Sequence, residues 1–105
     1  MHFVQAHMEY LDAPDAVTIR LRLLGYATDD HYLQHVYVQC EETRVIAVFF
    51  LLAPDLVRAE SSARALCLLD LYPEPTPPRG RLLSCTATFT APWGPYLPGE
   101  PQAGG

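Results

Sequence analysis

The sequence predicts an α+β domain in which one antiparallel five-stranded sheet, in the order β-β-β-β-α-β, is covered on one face by a single long helix. Three observations carry this. Apolar and polar residues alternate at a period of two in several successive segments. One run, Val45 to Leu52, is apolar on both faces, as a central strand requires. One segment, opened by Pro54 and Asp55 and closed by Pro73, repeats its apolar residues at the helical period. A chain of 105 residues with 50% hydrophobic content fills one such domain and not two.

In the first segment Val4, Ala6, Met8 and Tyr10 share one strand face and Gln5, His7 and Glu9 the other, before the turn residues Asp12-Ala13-Pro14-Asp15. Val17, Ile19, Leu21 and Leu23 then alternate with Thr18, Arg20 and Arg22 up to Gly25, and the β-branched Val17, Thr18 and Ile19 favour a second strand. The competing reading makes residues 13–26 a helix capped at Asp12, with Val17, Leu21 and Leu24 on one side. That version is the ferredoxin-like βαββαβ arrangement.

His31 to Cys40 sets Tyr32, Gln34, Val36 and Val38 against Leu33, His35, Tyr37 and Gln39, and the turn Glu41-Glu42-Thr43 leads into the central strand. The helix runs to about Tyr72, with Leu56, Ala59, Ala63, Leu66 and Cys67 inward and Arg58, Ser61 and Arg64 outward. In the last strand, 81–90, Leu83, Cys85, Ala87 and Phe89 alternate with Ser84, Thr86 and Thr88. Residues 1–90 therefore form the domain. Residues 91–105, rich in Pro and Gly, read as a mobile tail.

Charge narrows the partners. The formal net charge is -5 and all seven basic residues are Arg, scattered along the chain, so the clustered cations that nucleic acid demands are missing. The longest apolar run, Val45 to Ala53, is far shorter than the roughly 20 residues of a membrane span. Residues 1–5 lack the cationic start and apolar stretch of a signal peptide, so a cytoplasmic protein is expected. Cys40, Cys67 and Cys85 lack the spacing of a disulfide framework or a zinc site, and are expected to be reduced and mostly buried. His31 and His35 on a strand stand roughly 13 Å apart, too far to share a metal, and no metal site is expected. Asp29-Asp30 and Glu41-Glu42 read as solubilising turn charges. Neither a glycine-rich phosphate loop nor a Gly-x-Ser-x-Gly elbow is present.

The candidate chemistry lies on the sheet face away from the helix. A hairpin that pairs Tyr10 with Val17 places Glu9 opposite Thr18, His7 opposite Arg20 and Gln5 opposite Arg22 on that face. His35, Tyr37, Thr86 and Thr88 point the same way, beside the apolar Phe49, Leu51 and Leu33. Two readings stay open. In one the face is simply solvated and Glu9–Arg20 is an ordinary ion pair. In the other the apolar neighbours make a pocket whose desolvation raises the pKa of Glu9 for general acid work, while Arg20 and Arg22 hold an anionic substrate. Apolar residues on an open face also predict a homodimer that covers them. In the tail, Glu100 sits between Pro98-Gly99 and Pro101, downstream of Trp93 and Tyr96, and a tail docked through its aromatics would deliver that carboxylate as a lid-borne acid or base.

The segment Arg44-Val45-Ile46-Ala47-Val48-Phe49-Phe50-Leu51-Leu52-Ala53-Pro54-Asp55-Leu56, followed by Ala59-Glu60 and Ala65-Leu66-Cys67, resembles a strand-helix unit of small proteins from actinomycete peptide-antibiotic clusters. Within that group the chain is most similar to the nosiheptide-type enzymes of thiopeptide biosynthesis that form a C-terminal amide by enamide dealkylation. The resemblance covers residues 17–71. It implies removal of a terminal dehydroalanine from a modified peptide, leaving a primary amide and pyruvate, with a carboxylic acid protonating the alkene and Glu100 as the position that carries over. An arginine such as Arg20 or Arg22 would hold the dehydroalanine carboxylate, with His7 and Glu9 as further acid–base groups and His35 and Tyr37 lining the substrate. Neither protonation nor water addition requires a cofactor. The alternative is a non-catalytic peptide-binding or scaffold module that binds by strand addition.

Overall fold

The computed structural model describes residues 1–88. Its elements are β1 (His2–Tyr10), α1 (Ala16–Tyr26), a 3-10 turn (Asp29–His31), β2 (Leu33–Glu41), β3 (Arg44–Leu51), α2 (Leu56–Leu71) and β4 (Gly80–Thr88). The four strands form one antiparallel sheet in the order β2-β3-β1-β4. Both helices pack on the same face of it. The fold is thus α+β, with the ferredoxin-like βαββαβ connectivity.

Four strands and two helices replace the expected five and one, and the reason lies at residues 16–26. Asp15 caps a helix there: its carboxylate accepts the Thr18 N–H at 2.9 Å and the Thr18 hydroxyl at 3.1 Å. Alternation had grouped Val17, Ile19, Leu21 and Leu23, but the helix separates them. Ile19 and Leu23, four residues apart, are fully buried, whereas Val17 and Leu21 are 61% and 58% exposed. The cap is therefore Asp15 and not Asp12, and the buried stripe is not the Val17-Leu21-Leu24 side. β1 pairs with β3 and β4, both distant in sequence, instead of with a neighbouring hairpin strand.

The second helix starts just past Pro54, where the Asp55 carboxylate accepts the Arg58 N–H at 2.8 Å. Its buried stripe of Ala59, Ala63, Leu66, Cys67 and Leu71 meets the core face of the sheet: Val4, Ala6, Met8 and Tyr10 from β1, Val45, Ala47, Phe49 and Leu51 from β3, Val36 from β2 and Cys85 from β4. Phe49 and Leu51 are fully buried under the helices, which corrects their placement on the open face. Leu33 belongs to the same side. Between Leu33 and His35 the β2–β3 register shifts by one residue, so Leu33 pairs with Leu51 and packs against the core. The helices cover β3 on one face only; on the other, Ile46 and Phe50 are half-buried and Val48 is buried.

A second bulge lies between His7 and Met8 in the β1–β4 ladder, leaving Leu83 as the extra residue. Beside it the backbones of Gly80 and β1 approach so closely that a Cβ on Gly80 would collide with the Glu9 carbonyl oxygen. No helix among the described residues is long and apolar enough to cross a membrane. The expected final two residues of the last strand and the 91–105 tail lie outside the described residues.

Candidate functional site on the open sheet face

Strand pairing arranges the open face in cross-strand rows. Phe3, Phe50 and His35 form one; Gln5, Val48 and Tyr37 the next, with Thr86 beyond Gln5; then His7, Ile46 and Gln39, with Ser84 beyond His7; and last Glu9, Arg44 and Glu41, with Arg81 beyond Glu9. Thr88 pairs with Phe3 along the backbone. One end is aromatic, since the Phe3 and Phe50 rings meet edge to face at 5.0 Å and His35 meets Phe50 at 5.7 Å. The other end is charged.

The imidazole of His7 lies between the two ends. Gln5 Nε2 stands 2.9 Å from His7 Nε2, so the amide donates to that ring nitrogen in the neutral tautomer protonated at Nδ1. In the last row Arg44 Nε donates to Glu9 Oε1 at 2.8 Å, and the Thr43 hydroxyl donates to Glu9 Oε2. The hydrogen bond from Arg44, then that from Thr43, hold the Glu9 carboxyl below the usual carboxylate range. This reverses the expected upward shift. Glu9, held by Arg44 and Thr43, in turn positions Arg44. A shallow pocket of about 160 Å³ opens at this end, lined by His7, Gln39, Glu41, Arg44 and Ile46.

His7, Glu9, His35 and Tyr37 thus share one face as expected, with His7 and Glu9 toward the charged end and His35 and Tyr37 toward the aromatic end. Arg20 and Arg22 do not share it. As residues of α1 they lie on the opposite side of the sheet: Arg20 Nε donates to the Val36 carbonyl at 3.2 Å, and Arg22 pairs with Asp70. The expected Glu9–Arg20 pair is replaced by Glu9–Arg44, because β1 neighbours β3 and not residues 16–26. Glu100 lies outside the described residues.

Asp70 went unsingled in the sequence although it is the most heavily bonded side chain of the helix layer. It is fully buried and takes both Arg22 Nε at 2.6 Å and Arg22 Nη2 at 3.0 Å, the Tyr10 hydroxyl at 2.6 Å, the Tyr26 hydroxyl at 2.9 Å and Arg79 Nη1 at 3.1 Å. Burial pushes its pKa up most strongly of any single influence, yet the hydrogen bonds from Arg22, Tyr10 and Tyr26 together outweigh it and hold the carboxyl below its ordinary value. Tyr10 is pushed far up, first by burial and then by Asp70. A carboxylate with this many donors is no base; it clamps β1, α1, α2 and the chain entering β4 together. The signal was legible, because Asp70 continues the inward Ala63, Leu66 and Cys67 spacing.

Cys67 and Cys85 are buried and Cys40 is half-buried. Burial raises all three thiols, that of Cys85 to about 11, so none is a ready thiolate at neutral pH. Comparison with protein-family models, curated proteins and solved structures finds no match to this chain.

Proposed function

We propose that the open face serves a small tailoring enzyme acting on a modified peptide, and that its reaction is enamide dealkylation of a terminal dehydroalanine. The observation that carries this reading is the His7 imidazole, held by Gln5 at the rim of a pocket that also contains a guanidinium. The reaction class rests on the resemblance over residues 17–71.

The chemistry balances with water alone. A proton adds to the methylene carbon while the nitrogen lone pair moves into the bond to the α-carbon, giving an N-acyliminium. Water attacks that carbon and loses a proton. The carbinolamide hydroxyl then gives up its proton as its oxygen forms the ketone carbonyl, the carbon–nitrogen bond breaks and its electron pair leaves with nitrogen, which takes a proton, and the products are the primary amide and pyruvate. His7 is suited to take the proton from water at Nε2, the ring nitrogen that carries no proton in this tautomer, once the Gln5 amide yields it to the water, and to return a proton to nitrogen. Glu100 enters as the acid that protonates the alkene. The Phe3, Phe50, His35 and Tyr37 end supports the preceding part of the peptide by apolar and aromatic contact. A second copy facing this end completes the proposal, with the peptide held between the two copies, because Phe3 and Phe50 supply there the apolar surface expected of Phe49 and Leu51.

Incubating the protein with a dehydroalanine-terminated peptide, while following peptide mass and pyruvate together, tests this. A second reading, a binding module, is favoured by the place of β2 and β4 at the edges of the sheet, where an extended peptide adds by backbone pairing. Saturable peptide binding without pyruvate release would select it.

A further inference from the structure

Resting on the proposed reaction, we propose that Arg44 forms a subsite for the chain-terminal carboxylate of the substrate, so that the protein selects peptides ending in a free acid over the same peptides capped as ester or amide. Seven arginines are present, and among the described residues only Arg44 and Arg81 stand on the open face. Of these two, Arg44 alone lines the pocket.

The geometry of Arg44 matters more than its charge. Glu9 engages Nε, the inner nitrogen of the guanidinium, and Thr43 occupies the other oxygen of that carboxylate. Glu9 is thereby fixed from both sides, and it fixes Arg44 in turn. Among the described residues the only hydrogen bond of the Arg44 guanidinium is the one from Nε, so its terminal nitrogens face no described partner, and the side chain is 61% exposed. Planar guanidinium presents parallel N–H groups that match the two oxygens of a carboxylate, which a water-solvated ammonium does not. About 160 Å³ suits a small terminal residue, and Ile46 offers its methylene an apolar wall while His7 and Gln39 border it.

Glu41 lines the same pocket and pairs with Arg44 along the strands, with no ion pair to it. Its negative charge opposes an incoming anion. The two charges therefore act with opposite sign: neutralising Glu41 strengthens carboxylate binding, and neutralising Arg44 weakens it.

The test uses N-acetyldehydroalanine, its methyl ester and pyruvate as probes, each titrated into the full chain and followed by NMR at the His7 ring and the Arg44 Nε–H. Both acids are expected to shift these signals saturably and the ester is not. Arg44→Gln should weaken acid binding by about tenfold or more, Arg44→Lys should restore part of it, and Glu41→Gln should tighten it about twofold to fivefold. Far-UV circular dichroism of each variant establishes that it is folded. Equal binding of acid and ester, or acid binding unchanged in Arg44→Gln and weakened in Glu41→Gln, overturns the subsite. The two readings fail separately: saturable acid binding without pyruvate release from any peptide leaves the subsite and removes the reaction, whereas pyruvate release at equal rates from wild type and Arg44→Gln leaves the reaction and removes the subsite.

Discussion

The Tyr10 hydroxyl, at the end of β1, donates to the Asp70 carboxylate on α2 at 2.6 Å, and both residues are buried. This bond joins the sheet to the helix layer through a group that would otherwise be an uncompensated buried charge. Arg22 from α1 and Arg79 from the α2–β4 connection complete the neutralisation. Asp70→Asn removes the negative charge and one of the two acceptor oxygens that two guanidinium groups and two phenols share, and is expected to cost about 3–5 kcal/mol. Tyr10→Phe removes one neutral donor and should cost about 1–3 kcal/mol. Urea unfolding of the variants measures both.

The same clamp makes stability depend on pH in a stated direction. Asp70 titrates below its ordinary value in the folded chain. The stability it contributes is therefore complete above the unfolded carboxyl pKa, near 4, and is lost as pH falls through the lower folded value. Tyr10 is shifted upward, so its contribution is complete below the unfolded phenol pKa, near 10, and is lost as pH rises beyond it. Thermal unfolding from pH 2 to 11 should show both declines in the wild type. The alkaline one should shrink in Tyr10→Phe and the acid one in Asp70→Asn.

The helix at residues 16–26 is testable without a structure. Asp15→Ala should cost about 1 kcal/mol through the lost cap, and Leu23→Ala about 2–5 kcal/mol through the lost core contact. Val17→Lys and Leu21→Lys should each lie within about 0.5 kcal/mol of wild type. A strand with Val17, Leu21 and Leu23 on one buried face would make all three positions costly, and chemical denaturation separates the cases.

That segment also shows where the sequence was legible and where it was not. Strand β1 and helix α2 stood out because each buries a face at its own period, and β3 because its run is apolar throughout, although the helices cover only one of its faces. In Val17 to Leu23 the apolar residues satisfy a strand face and two different helix stripes at once, and the choice is made by what the segment packs on. The open face was legible as a set of β1 and β2 residues, because strand periodicity assigns faces within one strand. Its charge pairing was not. Glu9 meets Arg44 only because β3 lies beside β1, a contact across 35 residues that local spacing does not encode.

Two copies are expected to associate through the aromatic end of the open face. Light scattering at micromolar concentration should give twice the 11.7 kDa of one chain. A monomeric mass would contradict the dimer.

Glu100→Gln separates the acid from the sheet. Thermal stability should stay within about 0.5 kcal/mol of wild type, while turnover should fall about 100-fold or more if this carboxyl protonates the alkene. Glu9→Gln should act differently, raising KM more than it lowers kcat, because it loosens Arg44 and carries no proton. Steady-state kinetics of the two variants distinguish a proton donor from a positioning residue.

Pyruvate release by wild type and His7→Gln measures most directly whether the open face performs acid–base chemistry on a dehydroalanine terminus. The predicted result is one pyruvate per amide formed by the wild type, with the rate reduced about 100-fold or more in a folded His7→Gln variant. Absence of pyruvate from every dehydroalanine-terminated peptide, or an undiminished rate in His7→Gln, would contradict it.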